Sequence, residues 1–258
     1  MAVRNVAAGH AARATLLSEL GDADANVEVR RLDLADLDSV RAFADTVERV
    51  DVLVNNAGIM MPPRVLTPQG HESQFGTNHL GHFALTGLLL DRLRAGRDAR
   101  VVTVSSSLHR RGAIHWDDLT GARRYTPTGF YAQSKFANVL FGLELDRRLR
   151  AAGDAVRSVL AHPGYSATNL QSTGPTGWLS RVLRVSNVVM AQDVARGALS
   201  QLYAASDPGA LGGQFIGPDG VGEMRGYPRV VRPVASALSE VDAARLWAVS
   251  EDLTGVRA

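Results

Sequence analysis

The chain has 258 residues, 45% hydrophobic and 21% charged, which is the composition of a globular protein with a sizeable core. It contains no cysteine, which excludes disulfides, thiolate metal sites and a cysteine nucleophile. A net charge of +2 without a run of five like charges gives little support to nucleic-acid binding. No apolar stretch could span a bilayer and no signal-peptide core opens the chain, so we expect a cytoplasmic protein.

The first half of the chain alternates short apolar strands with amphipathic helices. The pattern at 27–32 predicts a strand, and apolar residues at i, i+3, i+4 and i+7 from Val40 predict a helix. A short buried strand is predicted at 51–54, followed by a helix from about His71 to Arg94.

The second half continues the same alternation. It predicts a strand at 101–104, a helix face through 136–143, a strand at 155–160, a helix at 193–203 and a last strand at 213–216. Strands separated by helices in this rhythm build a parallel sheet with helices on both faces. The predicted fold class is therefore α/β, a doubly wound parallel sheet that forms a single domain over residues 1–258.

The segment 171–189 breaks this alternation, because it is rich in Gly, Pro and Ser around Trp178. No second domain follows it, so we interpret it as a substrate lid rather than a linker. Its apolar residues favour a hydrophobic substrate.

Polar, small or glycine residues follow the first four predicted strands. These are Asp33-Leu34, Asn55-Asn56-Ala57-Gly58, Ser105-Ser106-Ser107 and His162-Pro163-Gly164. Ligands of open parallel sheets bind beyond the carboxyl ends of the strands. Small polar residues also end strands that bind nothing, but four such ends in succession favour a bound ligand.

The chain's only lysine, Lys135, follows Tyr131 by four residues. At this spacing a phenol and an ammonium lie on one face of a helix, and a fixed cation favours the phenolate. All other basic residues, apart from histidine, are arginine. A lysine at position 135 therefore indicates that this position requires a compact ammonium group rather than a guanidinium. The pair is a candidate acid/base device.

These residues, in this order, resemble the short-chain dehydrogenase/reductase superfamily. The finer patterns Asn78-His79-Leu80-Gly81-His82-Phe83, Val104-Ser105-Ser106 and His162-Pro163-Gly164 are similar to its branch of retinol dehydrogenases and WW-domain oxidoreductases. The resemblance implies a Rossmann-like fold and an NAD(P)-dependent oxidoreductase that interconverts an alcohol and a carbonyl on a small hydrophobic substrate. Some sugar-nucleotide epimerases and dehydratases also carry the Tyr-Lys pair, but they usually have a longer substrate domain.

The resemblance also assigns the catalytic roles. Tyr131 would be the general acid/base, Ser106 would bind the substrate carbonyl, and Lys135 would bind the nicotinamide ribose and lower the pKa of Tyr131. Ser105 and Ser107 would support the turn. Asn78 would hold a proton-relay water; the alternative is a hydrogen-bonded buried amide.

The cofactor roles follow in the same way. Asp33 and Leu34 would meet the adenine, Asn56, Ala57 and Gly58 would line the ribose, and Pro163, Gly164 and Thr168 would face the nicotinamide. Arg4 would pair with a 2′-phosphate, so we expect NADP(H) to be preferred over NAD(H).

We expect no metal site, although His79, His82 and His109 could suggest one, because no third ligand or carboxylate partner is apparent. Nothing in the sequence excludes a homo-oligomer.

The family's opening strand, its Thr-Gly-x-x-x-Gly-x-Gly turn, its first helix and most of its second strand have no counterpart before Arg4. We therefore expect an N-terminally truncated fold whose missing first strand belongs between the strands ending at Asp33 and Asn55. One hypothesis is a fragment of a working oxidoreductase whose start was assigned too late. The other is an inactive remnant that acts at most as a binding or regulatory protein. Intact Ser106, Tyr131 and Lys135 favour the first, and the upstream reading frame discriminates between them.

Overall fold

The computed structural model describes residues 1–22, 24–164 and 193–257. The expected lid at 171–189 and the expected cofactor residue Thr168 lie outside the described residues.

A five-stranded sheet forms the centre of the molecule. Four parallel strands lie side by side in chain order and an antiparallel strand closes the far edge. The strands are β3 (Val52–Asn55), β4 (Arg100–Val104), β5 (Arg157–Ala161), β6 (Phe215–Pro218) and the antiparallel β7 (Pro228–Val231). The parallel α/β fold expected from the sequence is thereby confirmed, whereas β7 was not predicted.

Two further strands form a small separate parallel sheet. They are β1 (Ala2–Val3) and β2 (Arg30–Arg31), so the strand expected at 27–32 is only two residues long. Among the described residues no strand bridges β2 and β3, and Val52 and Val54 of β3 are 39% and 42% exposed. This break lies where the sequence analysis expects a further strand; the truncation itself stays a prediction.

Helices connect successive parallel strands, and a last helix follows β7. They are α1 (Val6–Leu20), α2 (Leu37–Asp45), α3 (Ser73–Phe75), α4 (Gly81–Arg94), α5 (Pro127–Ala151), α6 (Val194–Ser206) and α7 (Glu240–Thr254). A π-helical turn, Gly76–Leu80, joins α3 to α4, so the helix expected from His71 to Arg94 is confirmed with an irregular centre.

Helices α1 and α7 were missed by the sequence analysis, although both carry capping signals. Asn5 and Ser239 accept hydrogen bonds from the first turns of α1 and α7, and Gly21 and Gly255 end these helices in the left-handed conformation. In α1 only Gly9 is buried, so this helix lacks the apolar stripe on which periodicity depends. Such end signals could have identified both helices.

The π-helical turn and α4 carry two fully buried histidines into the core. His79 packs against the rings of Phe75, Phe83 and Phe141 and hydrogen-bonds Ser250 through Nε2. Burial lowers the pKa of His79 to about 3 and that of His82 to about 4, so both rings are neutral at physiological pH.

This burial predicts a loss of stability in mild acid. Between pH 6.5 and pH 4 the unfolded chain binds protons at His79 and His82 that the folded chain does not bind. The free energy of unfolding should therefore fall as the pH decreases through this window, by about 1.4 kcal/mol per pH unit for each histidine. Urea unfolding at a series of pH values measures the slope.

Two variants make this test specific. His79→Phe removes one titrating group and should reduce the slope by roughly one protonation, ~1.4 kcal/mol per pH unit. His10→Gln, at an exposed position of α1, is the control and should leave the slope unchanged. A slope that His79→Phe does not alter would contradict the assignment.

Candidate active site

Helix α5 is anchored to the carboxyl end of β4 by three hydrogen bonds. The carbonyl of Val104 accepts from Lys135 Nζ at 3.2 Å and from Asn138 Nδ2 at 3.1 Å. The hydroxyl of Ser105 donates to the carbonyl of Lys135 at 2.8 Å. The Ser105 hydroxyl therefore fixes the helix that carries Lys135, rather than the turn that we expect it to support.

Ser106 and Tyr131 meet at this end of the sheet. Ser106 caps the 3₁₀ turn Ser107–Arg111 through its hydroxyl, and its side chain lies near enough to the Tyr131 phenol to lower the pKa of that phenol. Tyr131 is only 7% exposed. The structure thus brings together the two residues that the sequence analysis proposes as acid/base and carbonyl-binding groups.

The expected lowering of the Tyr131 pKa by Lys135 is wrong for this structure. Burial raises the pKa of the Tyr131 phenol to about 12, and the neighbouring Ser106 side chain opposes part of that rise. Lys135 Nζ lies 5.9 Å from the centre of the Tyr131 ring. The phenol therefore carries its proton at neutral pH.

Lys135 is a buried cation with spare donors. Burial lowers its pKa to about 8, so the ammonium is mostly charged at neutral pH. Within the described residues Nζ donates one hydrogen bond, to Val104, although an ammonium has three donors. A methyl group on Gly58 would lie 3.6 Å from this nitrogen, so Gly58 borders the same space.

Asn78 is a fully used buried amide. Its Oδ1 accepts from the Ile59 amide at 2.8 Å, and its Nδ2 donates to the Ile59 carbonyl and to Ser134 Oγ, both at 2.9 Å. Asn78 therefore ties the segment after Gly58 to helix α5. Both amide hydrogens are occupied, which supports the alternative of a hydrogen-bonded buried amide; the proton-relay role stays a prediction.

The residues that follow β3 provide a surface open to a ligand. Asn56 and Ala57 are exposed. A Cβ atom on Gly58 would come within 3.0 Å of Asn78 Oδ1, so the lack of a side chain keeps this space open. Together with the spare donors of Lys135, this cradle fits the ribose of a nicotinamide dinucleotide.

Arg4, Asp33 and Leu34 follow the neighbouring strands β1 and β2. Because Val3 pairs with Arg31 in parallel register, Arg4 and Asp33 lie at the same edge. Arg4 is exposed, and no side-chain partner of it occurs among the described residues. Leu34 is buried in the core, and Asp33 is half-buried with its Oδ1 accepting from the Ala35 amide, so their expected contacts with the adenine stay predictions.

Pro163 and Gly164 form the turn after β5. Gly164 has φ of +69°, and a Cβ atom there would lie 2.5 Å from the carbonyl oxygen of Met224. Both the conformation and the close approach require glycine. The turn is therefore fixed at the sheet edge that also carries Ser106.

The histidines considered as metal ligands have protein partners. His79 contacts Ser250, His82 Nδ1 lies 3.0 Å from the carbonyl of Asn78, and His109 Nδ1 lies 2.7 Å from the carbonyl of Ser106. In the part of the chain that the structure describes, no group of three or more His, Asp or Glu side chains could hold a metal ion.

A polar cluster that the sequence analysis missed adjoins the Gly164 turn. It consists of His162, Glu223 and Arg110, which hydrogen bonds join in series. His162 precedes the Pro163-Gly164 turn in sequence, but Glu223 is 61 residues further along the chain. A signal for His162 therefore existed, whereas no spacing rule could connect it with Glu223.

The fold and this site agree with comparisons to known proteins. The family model described as short chain dehydrogenase matches residues 1–176. The chain belongs to the short-chain dehydrogenases, a family of oxidoreductases that use nicotinamide dinucleotides.

Relatives place the chain more closely, in the branch of retinol dehydrogenases. Human retinol dehydrogenase 13 is 38% identical over 251 residues, which cover 90% of this chain and 70% of that protein. Mouse polyprenol dehydrogenase is 40% identical over 235 residues, which cover 87% of this chain and 67% of that protein. The crystal structure of an uncharacterized protein from Mycobacterium paratuberculosis is 46% identical, with a TM-score of 0.80 over 100% of this chain and 84% of the other.

The geometry of the Gly164 turn predicts that Gly164→Ala is more destabilising than Gly153→Ala. Both glycines have left-handed conformations, with φ of +69° and +67°, but nothing lies within 4 Å of a Cβ atom on Gly153. Gly153→Ala should cost about 1–2 kcal/mol for the conformation alone. Gly164→Ala should cost about 1–3 kcal/mol more because of the contact with Met224. Equal losses in urea unfolding would contradict this expectation.

Proposed function

We propose that the protein is an NAD(P)-dependent oxidoreductase that interconverts an alcohol and a carbonyl on a small hydrophobic substrate. The observation that carries the proposal is the buried Tyr131 phenol beside Ser106, with the Lys135 ammonium 5.9 Å from the centre of the Tyr131 ring. The relatives named retinol and polyprenol dehydrogenases support an apolar alcohol as the substrate class.

Each side chain has one task in this mechanism. Ser106 holds the substrate oxygen, and Tyr131 gives that oxygen a proton in carbonyl reduction or takes one from the alcohol in oxidation. Because its pKa is raised to about 12, Tyr131 holds the proton that reduction consumes. The spare donors of Lys135 would hold the ribose hydroxyls. A bound nicotinamide would supply or accept the hydride.

The role of Tyr131 predicts a large loss of turnover in Tyr131→Phe. The variant keeps the ring but removes the proton donor, so turnover should fall by about 10²–10⁴-fold, with nearly unchanged cofactor affinity. The assay uses a form of the protein whose binding of the nicotinamide cofactor has been verified by calorimetric titration. Nicotinamide absorbance with an apolar aldehyde or alcohol measures the rate.

Tyr125→Phe is the matched control, because the Tyr125 hydroxyl bonds Pro62 rather than the site residues. It should keep turnover close to that of the wild type. Near-normal turnover by Tyr131→Phe would show that Tyr131 is structural. Absence of turnover from the wild type in the same form would favour the inactive remnant.

We further propose that the protein prefers NADP(H), through Arg4. An exposed guanidinium at the carboxyl end of β1 can pair bidentately with a 2′-phosphate, a contact of about 1.5–3 kcal/mol. Arg4→Ala should therefore weaken NADPH binding by about 10- to 100-fold and spare NADH. Calorimetric titration measures both affinities.

Arg229→Ala is the control for this substitution. Arg229 is an exposed arginine on β7, the edge strand of the five-stranded sheet farthest from β3. It should leave both affinities unchanged. Equal affinity of the wild type for the two cofactors, or equal losses in Arg4→Ala, would rule out the assignment.

A further inference from the structure

The turn between β6 and β7 has an unusual backbone. Gly222 and Glu223 adopt φ of +64° and +56°, and Glu223 is not a glycine. Left-handed backbone is disfavoured for a residue with a long side chain, and such strain persists only where the surroundings enforce it. The Glu223 side chain is only 15% exposed, so its contacts are the natural reason for this conformation.

His162 is the first of these contacts. The ring is fully buried, and its Nδ1 accepts from the Gly164 amide at 3.2 Å. A nitrogen that accepts carries no proton, so the proton of a neutral ring lies on Nε2. Nε2 faces Glu223 Oε2 at 3.1 Å and donates to it. The carboxylate thus selects the tautomer that can hold Gly164.

Arg110 is the second contact. Its Nη2 donates to Glu223 Oε1 at 2.7 Å and to the carbonyl of Arg232 at 3.0 Å. Arg110 lies in the 3₁₀ turn that Ser106 caps. The hydrogen bond from His162, followed by that from Arg110, lowers the pKa of Glu223 to about 2, so the side chain is a carboxylate at neutral pH.

His109 fixes the same turn in a complementary way. Its Nδ1 donates to the carbonyl of Ser106 at 2.7 Å, and its Nε2 accepts from the Val234 amide at 3.2 Å. Both His109 and His162 lie edge-on to Phe215, with ring centres 5.3 Å and 5.2 Å away. The turns at Ser106 and Gly164 therefore rest on one common aromatic ring.

We propose that Glu223 is a positioning residue, whose carboxylate holds His162 and Arg110 together and so fixes the Gly164 turn relative to Ser106. The inference rests on the proposed function, in which Ser106 holds the substrate oxygen and Gly164 faces the nicotinamide. Glu223 touches neither reacting group. It would set the distance between the two sides of the site.

A carboxylate is required at this place because both neighbours are donors. Each of its two oxygens accepts from one neighbour. The amide of Glu223→Gln has one oxygen and one NH₂ group, so it can accept from Arg110 or from His162 but not from both. We expect Arg110, the charged donor, to take the amide oxygen. The NH₂ group then faces His162 Nε2 and drives the ring proton to Nδ1, where it opposes the Gly164 amide.

Nuclear magnetic resonance of the ¹⁵N-labelled 258-residue chain tests this directly. In the wild type, His162 should be protonated on Nε2, and the Gly164 amide should exchange slowly with solvent. In Glu223→Gln, the ring proton should move to Nδ1, and Gly164 should exchange at least about tenfold faster, the loss expected for one hydrogen bond to a buried group. Glu48→Gln, the same chemical change at an exposed position, should alter neither signal.

Two results of the resonance experiment would overturn the proposal. One is a wild-type His162 protonated on Nδ1, which needs no variant and decides the matter even if Glu223→Gln does not fold. The other is equal Gly164 exchange in Glu223→Gln and Glu48→Gln.

A kinetic measurement separates this proposal from the proposed function. In the form that turns over, Glu223→Gln should raise the Michaelis constant for the cofactor about tenfold and change kcat less, and an unchanged Michaelis constant would contradict positioning. Failure of the proposed function would show instead as near-normal turnover by Tyr131→Phe.

Discussion

The site depends on the single carbonyl oxygen that ends β4. Val104 accepts hydrogen bonds from Lys135 and Asn138, and the Ser105 hydroxyl returns one to the backbone of Lys135. These bonds set both the distance and the rotation of α5 against the sheet. Since Tyr131 lies one turn earlier on that helix, the same bonds decide where its phenol meets Ser106. Strand end and helix therefore act as one rigid support.

The buried ammonium of Lys135 affects the protonation state of a neighbouring histidine. Lys135 is 4% exposed, and His82 is fully buried nearby, where burial and the charge of Lys135 together lower the pKa of the imidazole to about 4. The ring is consequently neutral, and the core does not carry a second cation beside the first. The same burial raises the pKa of Tyr131 to about 12. The protonation states of the site thus follow largely from desolvation.

The small sheet of β1 and β2 is attached to the main sheet by side chains rather than by strand pairing. Leu32 and Leu34 share a core cluster with residues of α2 and α4, and Leu53 of β3 packs against it. This packing joins the two sheets without a continuous ladder of strand pairs among the described residues.

Among the described residues, no helix combines the length and apolar character required to cross a bilayer.

Local patterns in the sequence predicted β2 to β6 with α2, α4, α5 and α6 between them, and they pointed to the pair of Tyr131 and Lys135. The resemblance to the family singled out Ser106, and α1, α7 and β7 were missed. Period, spacing and strand-end chemistry are local properties, so they can be read before the chain is folded. The pKa of Tyr131 and the bonds that occupy Asn78 were decided only in three dimensions, because they depend on burial and on partners from other elements. The role of Glu223 could not be predicted from the sequence for the same reason. Its proposed role depends on a hydrogen bond to His162, which lies 61 residues away in the sequence, and only tertiary packing brings the two side chains together.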